Sequence, residues 1–500
     1  TTFIKANSNT NNIAIGTEAG LILQGEKSVA MGDNAGRDTQ GASAVAVGYT
    51  AGRFSQGISA VSVGESAGYN GQNTFSVAVG YRAGCAVQGN QAVAVGYTAG
   101  LNAQGTAATA VGDSAGRVSQ NNYATALGSG AGYNAQATQC TAIGRVAGYN
   151  AQGVNAVAVG FAAGCVSQAS SSVAIGQNAG RDTQGSAAVA VGTEAGRTSQ
   201  NAFSVAMGSS AGLNAQGVGN VAIGRFAGKV AQANFAVAVG INAADTNQGE
   251  SAVAIGNSAG QTDQNAFSVA MGVNAGVNAQ GDSSIAVGRA AGKVAQGDSS
   301  VAIGYQAGCA DQGDSAVAVG VNAGCASQST HAVAVGNAAG YNAQGDSSVA
   351  VGRQAGEVSQ ESSAVAIGKL AGKADQGNSS VAIGISTGET SQGTSSIAIG
   401  QNAGQNSQGG NAIAIGYYAG SGDQAGSSIA IGQNAGQNSQ GGNAVAIGLL
   451  AGKTQQGDYT VAIGQHAGSG DQALGAVAIG RYAGENTQGN YAIAIGHEAG

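Results

Sequence analysis

Ser300-Val301-Ala302-Ile303-Gly304, followed by Ala307-Gly308 and then by Gln312-Gly313, is the stretch whose reading decides the fold. Sixteen residues later Ala316-Val317-Ala318-Val319-Gly320 is followed by Ala323-Gly324 and Gln328. Outward in both directions the closing glycine recurs at every sixteenth position, from Gly16 to Gly496, 31 times without an insertion or deletion. That glycine is taken as register 16. Register 3 is then Ala except at Thr387, and register 4 is Gly except at Ala244. Register 8 is Gln in all thirty complete turns, register 13 is Val or Ile except at Thr109, Thr125 and Thr141, and register 14 is Ala except at Ser62.

The run at registers 12–15 is short, β-branched and bounded by glycine, which reads as a strand. Glycine at registers 4 and 16, and usually at 9, leaves no window long enough for a helix. A second strand is expected over registers 5–8, as in Lys293-Val294-Ala295-Gln296. Gly16, Gly20, Gly32, Gly36, Gly48 and Gly52 head the series that marks the bends, where a positive φ or close packing excludes a side chain. The fold class is therefore all-β: a single-chain parallel β-solenoid, or β-roll, with two short strands in each sixteen-residue coil. About 31 coils are expected over residues 13–500, after a lead-in or cap segment over 1–12, and the repeat is expected to continue beyond Gly500. At ~4.8 Å per rung such a stack is a rod of roughly 150 Å. An inserted residue would reverse the alternation of every side chain after it, which accounts for the absence of indels.

Composition closes off the competing classes. With 89 Gly but no Pro, the chain cannot be collagen, and with only 9% charged residues it does not read as disordered. A net charge of −7 over 500 residues supplies no basic stripe, so nucleic acid is not an expected partner. The apolar runs are a few residues long, so no membrane insertion is expected.

Gln24, Gln40, Gln56, Gln72, Gln88, Gln104, Gln312 and Gln488 belong to the register-8 ladder. Stacked amides donate up and accept down, a structural device of parallel stacks. A Gln array exposed to sugar or ice is the other reading. Registers 13 and 15 share one face and registers 12 and 14 the other. If Val and Ile fill the coil, Ala14, Ala30, Ala46, Ala78 and Ala94 point outward, and their smallness marks an oligomer face. The reverse assignment puts Ala inside and Val or Ile in the contact, and leads to the same partner: another copy of the chain, with a trimer favoured.

Cys309 and Cys325 occupy register 5 on adjacent rungs, within Cα range of a disulfide, although free thiols or inter-chain contacts also fit. No CxxC or Cys/His cluster suggests a metal site. Asp282, Asp298 and Asp314 stack at register 10, where they are solvated or share a cation. His331, His466 and His497 fall in three registers with no nucleophile at hand. No catalytic residue and no cofactor are expected, and the chain does not read as an enzyme.

The S-V-A-I-G run with its following Ala307-Gly308 resembles the head repeats of trimeric autotransporter adhesins, and also repeat tracts in surface or tail fibres of phages and giant viruses. The resemblance covers essentially the whole chain, with a rung about two residues longer than that family's. It implies a left-handed β-roll that trimerises, lies outside the cell or on a virion surface, and binds a host-surface receptor or glycan. The sixteen-residue period and Gly345-Asp346-Ser347-Ser348-Val349 are similar to bacterial ice-nucleation repeats, without their regular Thr-x-Thr ladder. The expected function is a structural or adhesive fibre that self-associates laterally, with an ice-binding solenoid as the alternative.

Overall fold

A computed structural model describes residues 4–7, as backbone strand only, and residues 11–500. The chain is an all-β parallel β-solenoid of about 30 turns of sixteen residues. It divides into two compact units, Thr1–Ser251 and Ala252–Gly500, built on the same coil.

Each coil carries an A strand at registers 13–15, as in Val301–Ile303, and in most coils a B strand at registers 6–8, as in Ala310–Gln312. A strands stack parallel and in exact register sixteen, Val301 on Val317, Ala302 on Ala318 and Ile303 on Val319. B strands do the same, with Gln312 on Gln328. Both strands start one residue later than the sequence pattern predicts, because the preceding corners extend through registers 12 and 5. In a few coils, such as the one holding Gln40, the B strand shrinks to a single bridge at the glutamine.

The corners are hydrogen-bonded too, and this makes the period strict. In the coil after Gly304 the amides of Gly308, Ala310, Gly313 and Val317 donate forward to Ala323, Cys325, Gln328 and Ala332. The amides of Gln306, Ser315 and Gly320 donate back to Arg289, Asp298 and Ile303. The direction of each bond is fixed by position in the coil. One added residue would orphan the pairs beyond it, at a cost of ~1–3 kcal/mol for each buried group left unmade.

The bends are not made by glycine alone. Registers 2 and 11 are left-handed throughout and register 7 in most coils, and in this one they hold Gln306, Asp311 and Ser315 with φ of 53°, 49° and 55°. Asn, Asp and Ser tolerate that conformation because short polar side chains bond locally, which explains their frequency there. Register 16 does need glycine: Gly304 has φ 130°, and a Cβ on it would lie 2.4 Å from the carbonyl oxygen of Gly320. Gly16, Gly32 and Gly48 share this geometry, and Gly20, Gly36 and Gly52 hold register 4 with φ of 51–53°. Register 4 has a second role, since a Cβ on Gly308 would lie 2.6 Å from the side-chain oxygen of Gln312. The glycine makes room for the amide.

The interior is one methyl thick. Ala302 and Ala307 are fully buried, as is Ser300, whose hydroxyl donates to the Gly297 carbonyl at 2.7 Å. A Cβ on Gly308 would stand 3.2 Å from the methyl of Ala302. Val301 and Ile303 have no room in such a coil and point outward. This corrects one assignment made from sequence: Ala14, Ala30, Ala46, Ala78 and Ala94, taken as an oligomer face, are at most 3% exposed and line the coil interior.

At the amino-terminal end the strand Ile4–Asn7 pairs antiparallel with Asn12–Ile15, the first A strand, with Ile4 opposite Ile15. It covers an edge that would otherwise be free to pair with another chain. Residues 1–3 and 8–10 of the expected 1–12 lead-in lie outside the described residues.

Alanine at register 4 has a precedent in Ala244, which keeps a φ of 46°. Gly308→Ala is therefore expected to cost about 1 kcal/mol, and Gly304→Ala, whose methyl meets backbone, roughly 3 kcal/mol or more. Denaturant unfolding of the two variants checks the order.

Candidate interaction surfaces and the glutamine spine

The outer side of the A strands forms an apolar ladder. Each strand buries its central Ala and leaves the residues before and after it half-buried or exposed, as in Ile303 at 40%, Ile367 at 39% and Ile383 at 37%. No charged residue occurs at registers 12–15 in any coil. Isolated exposed apolar side chains need no explanation, but a contiguous ladder exceeds the few hundred Å² a monomeric protein usually shows. The backbone beneath the ladder is paired on both sides, with the coils before and after.

Behind it runs the glutamine spine. Gln104 donates through Nε2 to the Val93 carbonyl across the coil at 2.7 Å and to Oε1 of Gln120 in the next coil at 3.1 Å. The same amide-to-amide link is unbroken from Gln88 to Gln200 and from Gln312 to Gln376. Gln24 links to Gln40 and Gln56 to Gln72. Gln40, Gln72 and Gln488 bond the carbonyls of Val29, Val61 and Val477. The spine is not continuous: Oε1 of Gln56 and of Gln88 accepts no bond. Beyond the first coil these side chains are buried, so they tie strand B to strand A and present no polar array to sugar or ice. Ser62, the exception at register 14, is absorbed by the spine: it accepts from Gln56 at 3.2 Å and donates to Gln72 at 2.5 Å.

Cys309 and Cys325 are joined by a disulfide across adjacent coils, with Cα atoms 4.6 Å apart. Cys85 and Cys165 are half-buried free thiols, and Cys140 is a fully buried one at register 12. Burial pushes the Cys140 thiol up to about 12, and burial also raises Cys165. The Asp282, Asp298 and Asp314 carboxylates serve the backbone: each accepts the register-10 amide of the preceding coil, at 3.1, 2.8 and 2.9 Å. Asn122 and Asn234 do the same elsewhere. That role needs no cation. His331, His466 and His497 are not brought together as a ligand set, and among the described residues no group of three or more His, Cys, Asp or Glu could hold a metal ion.

The edges of the coil carry the rings. Arg guanidinium groups lie over them, Arg53 over Phe54 at 4.7 Å and Arg117 over Tyr133 at 5.2 Å. Tyr81 stacks on Tyr97, and Tyr133 on Tyr149. The repeat places side chains of equal register ~4.8 Å apart, which suits ring stacking and guanidinium contact.

No protein-family model matches the chain, and no curated protein matches it.

A thiol titration is expected to find three reactive groups in the denatured, unreduced chain. In the native protein Cys85 and Cys165 are expected to react first, and Cys140 only on unfolding, because the neutral thiol is the favoured form there. A fast native reaction at Cys140 would contradict the burial of register 12.

Proposed function

We propose that this protein is a structural fibre element that associates laterally with copies of itself through the Val/Ile ladder of its A strands. The observation that carries the reading is the ladder: two outward-facing apolar side chains, half-buried or exposed, in nearly every coil, with no charge at registers 12–15. A surface repeating every ~4.8 Å is matched best by another with the same repeat, and only a second copy guarantees that. The apolar contact comes from Val and Ile with Ala inside, the reverse of the arrangement built on Ala14 and its equivalents. The fibre function and the oligomer survive that reversal.

The resemblance to adhesin heads and viral fibres extends the proposal to three chains, to a location outside the cell or on a virion, and to a host-surface receptor or glycan as target. A disulfide between Cys309 and Cys325 supports an oxidising compartment.

Val301→Asp combined with Val317→Asp tests the proposal, because both side chains point outward from the coil. In sedimentation velocity at high salt the native chain is expected as an oligomer and the double variant as a folded monomer with unchanged circular dichroism. A monomeric native chain at micromolar concentration would overturn the proposal, as would an unchanged oligomer in the variant.

A further inference from the structure

Sorting the charges by register separates them by sign. Within the unit Ala252–Gly500 all seven Lys and Arg lie at register 1 or 5, from Arg289 and Lys293 to Arg481. Of its fifteen carboxylates, eleven lie at registers 7, 9 or 10, among them Asp263, Asp282, Asp298, Asp311 and Asp314. Registers 1 and 5 border one turn of the coil; registers 9 and 10 begin the opposite turn, and register 7 is the outward residue of strand B beside it. Registers 1, 2 and 5 sit together at the turn leading out of the A strand, where Arg481 lies over Tyr482 and His466 approaches Glu485 at 3.8 Å. Registers 7 and 10 flank the other turn, where Asp263 and Asp298 line one groove and Asp311 another.

Both edges hold their charges in place. The Arg289 guanidinium stacks over Tyr305 at 5.7 Å. Asp298 and Asp314 are each pinned through one oxygen to a backbone amide, and both residues are exposed. The four remaining carboxylates, Glu357, Glu389, Glu485 and Glu498, lie at registers 2 and 5 on the basic edge, which keeps an excess of positive charge. In the unit Thr1–Ser251 most carboxylates lie on that edge, and some pair within it, as Arg37 does with Glu18 at 3.1 Å and Arg197 with Glu194 at 3.1 Å.

We infer that the two edges of the Ala252–Gly500 unit form a second contact between copies, the acidic edge of one chain seated along the basic edge of its neighbour. The inference deepens the self-association reading but uses a different surface. The two edges are different patches, so the contact is heterologous: every added chain leaves a free edge of each sign, and the array grows sideways instead of closing. One exposed ion pair is weak, and the contact works because the same period places many pairs in step. Its strength follows the screening length, ~30 Å at 0.01 M salt and ~3 Å at 1 M.

Light scattering and electron microscopy across that salt range test the inference. Sideways arrays are expected at low salt and are expected to disperse at high salt. Asp282→Asn, Asp298→Asn and Asp314→Asn together keep the acceptor that Asn122 already supplies elsewhere, so they remove charge without removing the backbone bond. This variant is expected to need at least several-fold higher protein concentration to form arrays. A charge swap is the stricter test. Asp282→Lys, Asp298→Lys and Asp314→Lys in one chain, and Arg289→Glu, Lys293→Glu and Arg353→Glu in another, are expected to abolish arrays in either chain alone and restore them on mixing. Arrays indifferent to salt, or no restoration on mixing, would overturn the inference. The Val301→Asp, Val317→Asp variant separates the two contacts: loss of the face pairing with salt-dependent arrays retained supports the edge contact.

Discussion

A single methyl group fills the space between the two strands of each coil, and most of the sequence follows from that thinness. Ala302 and Ala307 fit, Ser300 fits because its hydroxyl turns back to a carbonyl, and Gly308 is absent of side chain so that Gln312 can enter. Gln is the one long side chain admitted. Its amide bonds the opposite strand and often the next amide in line, so its polar atoms are met where an unmet amide would cost several kcal/mol. Larger apolar residues are excluded from the interior and have only the outside to occupy.

That exclusion produces the surface chemistry. A globular domain folds its Val and Ile inward and closes on itself; this coil turns them outward. The corners are equally constrained. Left-handed residues at registers 2, 7 and 11 bend the chain, and interchain-like bonds between coils run through the bends as well as the strands. The polar corners can vary in side chain because the backbone, not the side chain, does the pairing there.

Much of this was legible in the sequence. The sixteen-residue period, the two strands, the bend at Gly304 and the partner of Gln312 all follow from repetition, because a residue type that never changes over thirty coils marks a constraint on every coil. The side of the strand was not legible. Alternation places Ala302 opposite Val301 and Ile303, but which side is interior depends on the distance between strands, and no single coil states it. The usual rule that branched apolar residues go inside favours the wrong side here. The left-handed corners escaped for a similar reason: Gln306, Asp311 and Ser315 carry no glycine to announce them. The signed edges were within reach, since grouping Lys293 and Asp298 by register needs only the repeat, yet their opposition requires knowing that registers 5 and 10 lie at opposite turns.

The orientation of the A strand is the point on which everything else rests, and adjacent residues of one strand decide it. Ala366→Leu and Val365→Thr, compared by thermal unfolding, give the most direct measurement. With Ala366 fully buried and Val365 outside, the leucine variant is expected to lose several kcal/mol. The threonine variant is expected to lose less than about 1 kcal/mol in the dissociated chain. A well-tolerated leucine together with a damaging threonine would place the Val/Ile ladder inside the coil and contradict the account.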